Sequence, residues 1–330
     1  MGIPINIVSG FLGAGKTTFI NEMIKETTIA SDDIAIIVNE FGEVGIDHEL
    51  MIHAEERLYQ LNSGCICCSL REDLASTLEM ILKITKEQGR PLKQIIIETT
   101  GIADPQPIIQ TLKVTPKLSG YFYLDTVFCV VDAVNYQSTL SNYSEAEKQI
   151  AMADRFIITK LNEQYAADKQ EIQQKLSSIN PVADYYEFSF STIFKADCLF
   201  FNQHLFRSFE PQIVETDNYK EQHEHHHHGS VSSMSLSTLI PLEESLMRMW
   251  IDWLLMTYDG QLYRYKGLIR VKNYELVIAL QGVSTHYTLE TTNKSPLDFT
   301  SQLVLIGKDL DREKIEQSFK DLVMRSYQEI

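Results

Sequence analysis

Short apolar stretches alternate with segments of helical periodicity along the first two thirds of the chain. Many of the apolar stretches are rich in β-branched side chains, which is typical of strands buried on both faces of a sheet. The segments between them carry apolar side chains at helical spacing. This alternation predicts an α/β fold, with a mostly parallel sheet and helices on both faces. The predicted strands cover residues 3–8, 34–38, 94–97, 125–131 and 155–158.

The loop after the first predicted strand has the sequence GFLGAGKTT at residues 10–18. Its glycines let successive backbone N–H groups surround phosphates, Lys16 brings a positive charge to the terminal phosphates, and the Thr17 hydroxyl completes a Mg²⁺ shell. The preceding strand and the following helix give the context that a P-loop requires, which disfavours a merely structural glycine turn. The predicted nucleoside-triphosphate site comprises Gly10, Gly13, Ala14, Gly15, Lys16, Thr17 and Thr18.

Acidic residues follow two of the predicted strands. Glu98 ends one strand and Gly101 comes three residues later, which matches a Walker-B acid and a loop that senses the γ-phosphate. We expect Glu98 to reach Mg²⁺ through water and the Gly101 N–H to contact the γ-phosphate. Glu40 and Glu43 leave the sheet at its carboxyl edge, where α/β sheets hold ligands. Taken alone, a solvated loop is the simpler interpretation of these two glutamates.

Three of the five cysteines, Cys65, Cys67 and Cys68, fall within four consecutive positions. A capping box from Ser69 to Glu72 predicts that a helix begins directly after them, and a helix N-terminus favours the thiolate that binds metal. Two or three thiolates with a carboxylate or a histidine would form a tetrahedral site for zinc or a similar ion. The alternative, buried structural cysteines, is disfavoured by this clustering.

The composition of the chain argues against some classes of binding partner. The net charge of −16 and the lack of a basic stripe argue against a nucleic-acid surface. The apolar runs are too short to span a bilayer, and the N-terminus has no signal-peptide features. The cysteines suit a reducing compartment better than a disulfide framework. We therefore expect a cytoplasmic protein whose partners are small molecules, metal ions or other proteins, with no nucleic acid and no membrane.

The composition becomes polar after Pro211, in a stretch that holds five of the nine histidines. We predict a P-loop domain at residues 1–210, a His-rich linker at 211–233 and a smaller α+β domain at 234–330. Weak metal capture and a merely solvated linker are both compatible with this stretch, whereas its internal position argues against a cloning tag. Its candidate weak ligands are His223, His225, His226, His227 and His228.

Together these motifs resemble the CobW-type family of P-loop GTPases, close to its YjiA-like branch, whose members are regarded as metal chaperones or metal-insertion factors. The resemblance extends over both domains. In the first domain it rests on GFLGAGKTT at 10–18, NEFGEVGID at 39–47, GCICC at 64–68, ETTGIADP at 98–105, VVDA at 130–133 and ADR at 153–155. In the second it rests on RYKGLIRV at 264–271 and LVLIGKDLDREKI at 303–315.

The resemblance implies GTP as the nucleotide, with Thr159, Lys160 and Asn162 at the base. The family's guanine motif is Asn-Lys-x-Asp, and this chain has Asn162 in place of the aspartate. An amide accepts only one of the two adjacent guanine donors, which weakens guanine binding about 5- to 150-fold. A second departure is Val38, at a position where some relatives carry an additional metal-binding glutamate.

The sequence thus predicts a slow metal-binding GTPase, in which Lys16, Glu98 and Gly101 serve hydrolysis and Thr17 and Glu98 hold Mg²⁺. Zinc is the favoured metal, with cobalt, nickel and iron as alternatives. By resemblance the partner is a client metalloprotein, and a homodimer is left open. A non-catalytic metal store with structural nucleotide binding is the alternative function, and a metabolic kinase is disfavoured by the cysteine cluster. The predicted zinc ligands are Glu43, Cys65, Cys67 and Cys68, with Glu40 as an additional candidate.

Overall fold

The computed structural model of the chain describes residues 2–40, 58–62, 68–89, 92–161, 167–188 and 231–328. The chain divides into two compact units. The first comprises Met1–Gln174 and Ala183–Leu205, and the second comprises Lys175–Val182 and Phe206–Ile330. The proposed linker at residues 211–233 stays a prediction, and the first strand of the second unit begins at Val231.

A seven-stranded sheet forms the centre of the first unit, and every strand pair in it is parallel. The strand order is β3-β2-β4-β1-β5-β6-β7. Because all strands point the same way, the loops that follow them leave the sheet at one common edge. The strands are β1 (Ile3–Gly10), β2 (Ile34–Glu40), β3 (Leu58–Asn62), β4 (Gln94–Glu98), β5 (Phe122–Asp132), β6 (Arg155–Thr159) and β7 (Asp184–Glu187).

Seven α-helices of the described residues accompany this sheet. Phe19, Ile20 and Met23 of the first helix pack against alternate strand residues such as Val8 and Phe128, which fills the core on one face. The sheet thus confirms the predicted P-loop fold class. The helices are α1 (Lys16–Glu26), α2 (Cys68–Gln88), α3 (Gln106–Val114), α4 (Pro116–Ser119), α5 (Tyr136–Asn142), α6 (Ser144–Met152) and α7 (Lys169–Ile179).

The second unit contains a five-stranded sheet of order β11-β10-β9-β12-β8, with every strand pair antiparallel. Two helices pack on it, and Trp250, Leu305 and Phe319 belong to their shared core. The turn between β9 and β10 includes Asn273, whose φ of +63° is left-handed. The elements are β8 (Val231–Thr238), α8 (Glu244–Thr257), β9 (Leu262–Ile269), β10 (Ile278–Val283), β11 (His286–Thr291), β12 (Ser301–Lys308) and α9 (Arg312–Gln328).

A membrane-spanning helix would need a long apolar segment, and the helices found in the described ranges include none that is both long and apolar enough.

Candidate nucleotide and metal site

The P-loop connects β1 to α1 through backbone conformations that need glycine. Gly10 has a φ of +138°, and a Cβ there would lie 2.3 Å from the carbonyl oxygen of Val130. Gly15 has a φ of +96° and occupies the N-cap position of α1 without capping the helix through a side chain. A helix N-terminus without a capping side chain is suited to hold an anion, and the start of α1 has this form.

Two polar side chains of the first turn of α1 have defined partners. Lys16 is buried, and its Nζ donates a hydrogen bond to the Phe11 carbonyl oxygen at 3.3 Å. The Thr17 hydroxyl donates to the Oε1 atom of Glu98 at 2.8 Å, although 81 residues separate the two in sequence. Hydroxyl and carboxylate oxygens are the ligands that Mg²⁺ prefers, so this pair fits a magnesium ion.

The loop that follows β4 lies directly against the P-loop. The Thr99 N–H donates to the Val8 carbonyl oxygen at 3.0 Å, which fixes the beginning of the loop beside β1. A Cβ added to Gly101 would lie 2.5 Å from both the backbone nitrogen and the Cα of Leu12. Only a glycine fits at this distance, so the predicted phosphate-sensing residue is in van der Waals contact with the P-loop backbone.

The predicted base-binding segment begins at Thr159, the last residue of β6, and is also joined to the P-loop. The Thr159 hydroxyl is buried and donates to the Ala14 carbonyl oxygen at 2.8 Å. Lys160 adopts a left-handed φ of +59°, and its Nζ donates to the Gly13 carbonyl oxygen at 3.0 Å and to the Asp132 carboxylate at 2.8 Å. Asn162 lies outside the described residues. Its role at guanine stays a prediction.

Residues predicted to bind metal are only partly described. Glu40 ends β2 and pairs in register with Asn62, the last residue of the parallel strand β3. Cys68 is the first residue of α2, so the helix begins one residue before Ser69, which the predicted capping box had placed at the N-cap position. Glu43, Cys65, Cys67, His223 and His225–His228 lie outside the described residues. Within the described ranges, no group of three or more His, Cys, Asp or Glu side chains could hold a metal ion.

Comparison with known sequences places this arrangement in a family. The profile described as "CobW/HypB/UreG, nucleotide-binding domain" matches residues 4–187, and the profile described as "Cobalamin synthesis protein cobW C-terminal domain" matches residues 231–323. The chain belongs to the CobW/HypB/UreG family. The P-loop, the Glu98 loop and the Thr159–Lys160 pair all lie within the first match.

Two CobW-type relatives are similar over nearly the whole chain. One is the "Zinc chaperone YjiA" of Escherichia coli, 30% identical over 97% of this chain and 98% of the relative. Another is the "Zinc-regulated GTPase metalloprotein activator 1" of Schizosaccharomyces pombe, 27% identical over 94% of this chain and 83% of the relative. This coverage means that the similarity includes both domains.

Solved structures agree with this assignment. The Zn(II)-bound YjiA GTPase of Escherichia coli matches with a TM-score of 0.71 and 25% identity over 98% of this chain and 99% of that chain. A Zn(II)-bound triple mutant of the YjiA GTPase matches with a TM-score of 0.74 and 26% identity over the same shares. The CobW-type fold therefore extends through both units of the chain.

Two residues of the CobW-type site were not assigned a role from the sequence. Asp132 lies in the VVDA motif, and its carboxylate accepts hydrogen bonds from Lys160, from the Asn135 side chain and from the Val134 N–H. Gln149 of α6 is buried and donates to the backbone of the loop after β4. One feature of the sequence could have identified Gln149, namely a polar side chain on the buried face of an amphipathic helix.

The pKa of Asp132 leads to a prediction about stability. Burial acts to raise this pKa, but the hydrogen bonds from Lys160, Asn135 and Val134 outweigh it, and the net pKa is lowered. A lowered folded-state pKa stabilises the fold above the unfolded-state pKa, and this stability is lost as the pH falls through the folded-state value. We expect Asp132→Asn to lower the free energy of unfolding by about 1–2 kcal/mol at pH 7.

Urea unfolding of both proteins at pH 7 and at about pH 3 measures this difference. The gap between wild type and Asp132→Asn should shrink at the acidic pH, which lies below the ordinary pKa of an aspartate, because the stability that the lowered pKa contributes is lost as the pH falls. A gap of the same size at both pH values would contradict the prediction.

Proposed function

We propose that this protein hydrolyses GTP and uses its nucleotide state to load, transfer or insert a transition metal into a client protein. The observation that carries the proposal is the contact of Thr17 with Glu98 beside the P-loop, with Gly101 packed on Leu12. This geometry occurs in a chain whose relatives are named zinc chaperone and zinc-regulated GTPase metalloprotein activator.

The nucleotide would be held by two sets of groups. Backbone N–H groups of the P-loop and Lys16 would bind the phosphates, while Thr159, Lys160 and Asn162 would bind the base. Thr17 and Glu98 would hold Mg²⁺, which, when bound, neutralises charge on the phosphates during phosphoryl transfer. The Gly101 N–H would contact the γ-phosphate. These groups would therefore contribute to hydrolysis by positioning the nucleotide and by stabilising its negative charge.

We expect slow turnover. The segments at residues 10–18, 98–105 and 159–161 contain no arginine that could stabilise charge on the transferred phosphoryl group. GTPases that lack such an arginine turn over on the order of 10⁻⁴–10⁻³ per second. A client or a bound metal could then serve as the activating partner.

Zinc is the metal we favour, with cobalt, nickel or iron as alternatives, because thiolate ligands dominate the proposed set. That set consists of Glu43, Cys65, Cys67 and Cys68, and Glu40 is a further candidate at the end of β2. The five linker histidines would contribute weaker sites. Support comes from the parallel pairing of β2 with β3, which brings the ends of the two strands, Glu40 and Asn62, to one edge of the sheet.

The partner that follows from this function is an apo-metalloprotein, and a homodimer is an arrangement that remains to be tested. We expect the protein to act in the cytoplasm, where cysteines stay reduced and available to zinc. The alternative function is a metal store in which nucleotide is only structural. Steady-state phosphate release from GTP by the purified protein, with and without zinc, separates the two functions, because a store releases none.

The proposed coupling makes a prediction about affinity. Zinc should bind with about 5- to 150-fold different affinity to the GDP form and to the form holding a non-hydrolysable GTP analogue. By linkage, zinc should change the affinity of the analogue relative to GDP by the same factor. We expect Cys67→Ala to abolish both differences, measured by competition with a chelating zinc indicator.

Cys129→Ala is the matched control. Burial raises the pKa of the Cys129 thiol to about 12, despite an opposing effect of Lys16, so it is protonated at neutral pH and unsuited to bind zinc. This variant should keep the nucleotide-dependent zinc affinity of the wild type. Equal zinc affinity in the two nucleotide states of the wild type would refute coupling.

A further inference from the structure

Gln149 of α6 holds the loop after β4 through its side-chain amide. The Nε2 group donates one hydrogen bond to the Gly101 carbonyl oxygen at 3.2 Å and another to the Ala103 carbonyl oxygen at 3.0 Å. A primary amide has two N–H donors, so both are used on this one loop. Gln149 is only 1% exposed, and water therefore cannot easily replace these bonds.

The same loop is confined on its other sides. Thr99, the first residue of the loop, donates a backbone hydrogen bond to β1, and Gly101 packs against the Leu12 backbone. Gln149 also borders a cavity of about 40 Å³ together with Phe11 and Leu12 of the P-loop. The loop is thus held between the P-loop and α6, with the Gly101 peptide in contact with both.

A second contact joins α6 to the loop at the protein surface. The Lys148 ammonium group lies 3.2 Å from the Asp104 carboxylate, and both side chains are partly exposed. Exposed ion pairs contribute little because solvent screens them, whereas a buried carbonyl group left without a donor is costly. The bond from Gln149 to Gly101 is buried, and the bond to Ala103 is partly buried. Of these neighbouring residues of α6, Gln149 is therefore the one expected to determine the position of the loop.

We propose that Gln149 is a positioning residue for GTP hydrolysis: by holding the Gly101 and Ala103 carbonyl groups it fixes the backbone of the loop, so that the neighbouring Gly101 N–H group is directed at the γ-phosphate. This inference rests on the proposed GTPase function. It assigns α6 a role in the response to nucleotide, because any movement of Gly101 away from Leu12 must break or carry along the bonds to Gln149.

Gln149→Met tests the proposal, because methionine has nearly the same length and shape but lacks N–H donors. We expect kcat for GTP to fall about 5- to 150-fold, the range that corresponds to unpaired buried carbonyl groups. The Kd for GDP should stay within about threefold of wild type, since GDP has no γ-phosphate to contact Gly101. A role limited to packing would instead leave kcat unchanged.

Hydrogen exchange provides a readout that does not depend on hydrolysis. The Ala103 N–H bonds to the Thr100 carbonyl oxygen at 3.0 Å within the loop. Its exchange should become at least about fivefold faster in Gln149→Met, because loss of two anchoring bonds favours opening of the loop. Lys148→Met is the matched control on the same helix, and it should change kcat and exchange by less than about threefold.

These experiments distinguish failure of the proposed role of Gln149 from failure of the proposed GTPase function on which that role rests. If the wild type releases no phosphate from GTP, the proposed function fails, and the exchange comparison still decides whether Gln149 holds the loop. If Gln149→Met does not fold, Gln149→Asn replaces it, because this shorter amide keeps the site polar but cannot reach both carbonyls. Wild-type kcat and wild-type exchange in the folded variant would overturn the proposal.

Discussion

Lys16→Ala is expected to reduce GTP hydrolysis at least about 100- to 1000-fold, the loss typical when one preorganised charge-stabilising group is removed. The lysine is buried at the start of α1, where its ammonium group contacts a P-loop carbonyl rather than solvent. It is therefore positioned in advance for the terminal phosphates, and alanine leaves that negative charge without its cationic partner. Triphosphate binding should weaken as well. Phosphate release and binding of a fluorescent GTP analogue measure the two effects.

Lys25→Ala is the control for Lys16→Ala, because Lys25 lies in the last turn of the same helix. Its partly exposed ammonium group pairs with Glu22 at 2.6 Å, a surface contact worth about 1 kcal/mol or less. This variant should hydrolyse GTP at the wild-type rate. Both variants should unfold cooperatively, since Lys16→Ala removes a single charge-assisted hydrogen bond worth about 1.5–3 kcal/mol. Unchanged turnover in folded Lys16→Ala would exclude the P-loop as the site of hydrolysis.

Gly101→Ala is expected to lower kcat at least about 100-fold while leaving GDP affinity within about threefold. The new methyl group would lie 2.5 Å from the Leu12 backbone, far inside van der Waals contact. The loop must move away, which displaces the N–H group that we assign to the γ-phosphate. Overpacking of this kind also costs about 1–3 kcal/mol of stability. Single-turnover hydrolysis and GDP titration distinguish the catalytic effect from the binding effect.

Gly120→Ala is the control for Gly101→Ala, because it adds the same methyl group at another glycine. A Cβ at Gly120 meets no atom within 4 Å, and its φ of −79° is accessible to alanine. The substitution should leave the rate of GTP hydrolysis unchanged. It can slightly stabilise the fold, because alanine restricts the conformations of the unfolded chain. If Gly101→Ala kept the wild-type kcat, the loop after β4 would have no role in sensing the γ-phosphate.

The sequence predicted elements whose signals are local. Buried β-branched runs predicted β1, β2, β4, β5 and β6, because a strand buried on both faces needs apolar side chains at successive positions. Strand β3 was not predicted. Its sequence, LYQLN, mixes apolar and polar residues over only five positions and lacks a strong period. Its place at the sheet edge comes from pairing with β2, a contact between residues about 22 positions apart.

Side-chain contacts between distant segments required the tertiary structure. Glu98 was predicted beside the P-loop, since both follow parallel strands of one sheet. Its hydrogen bond to Thr17, however, depends on the order in which β4 and β1 are paired. Gln149 lies 48 residues from Gly101, and nothing in the local sequence of α6 indicates which loop that helix will contact.

By itself, then, the sequence determined the P-loop and the fold class, because glycine conformation, phosphate chemistry and strand periodicity act over a few neighbouring residues. The motifs at residues 39–47, 64–68 and 98–105 also predicted a CobW-type protein, which the family comparison confirmed. Only the tertiary structure decided that Asp132 holds Lys160, that Gly101 packs on Leu12 and that Gln149 holds the loop. These contacts depend on how helices and strands pack together, and packing is a property of the whole fold rather than of any segment.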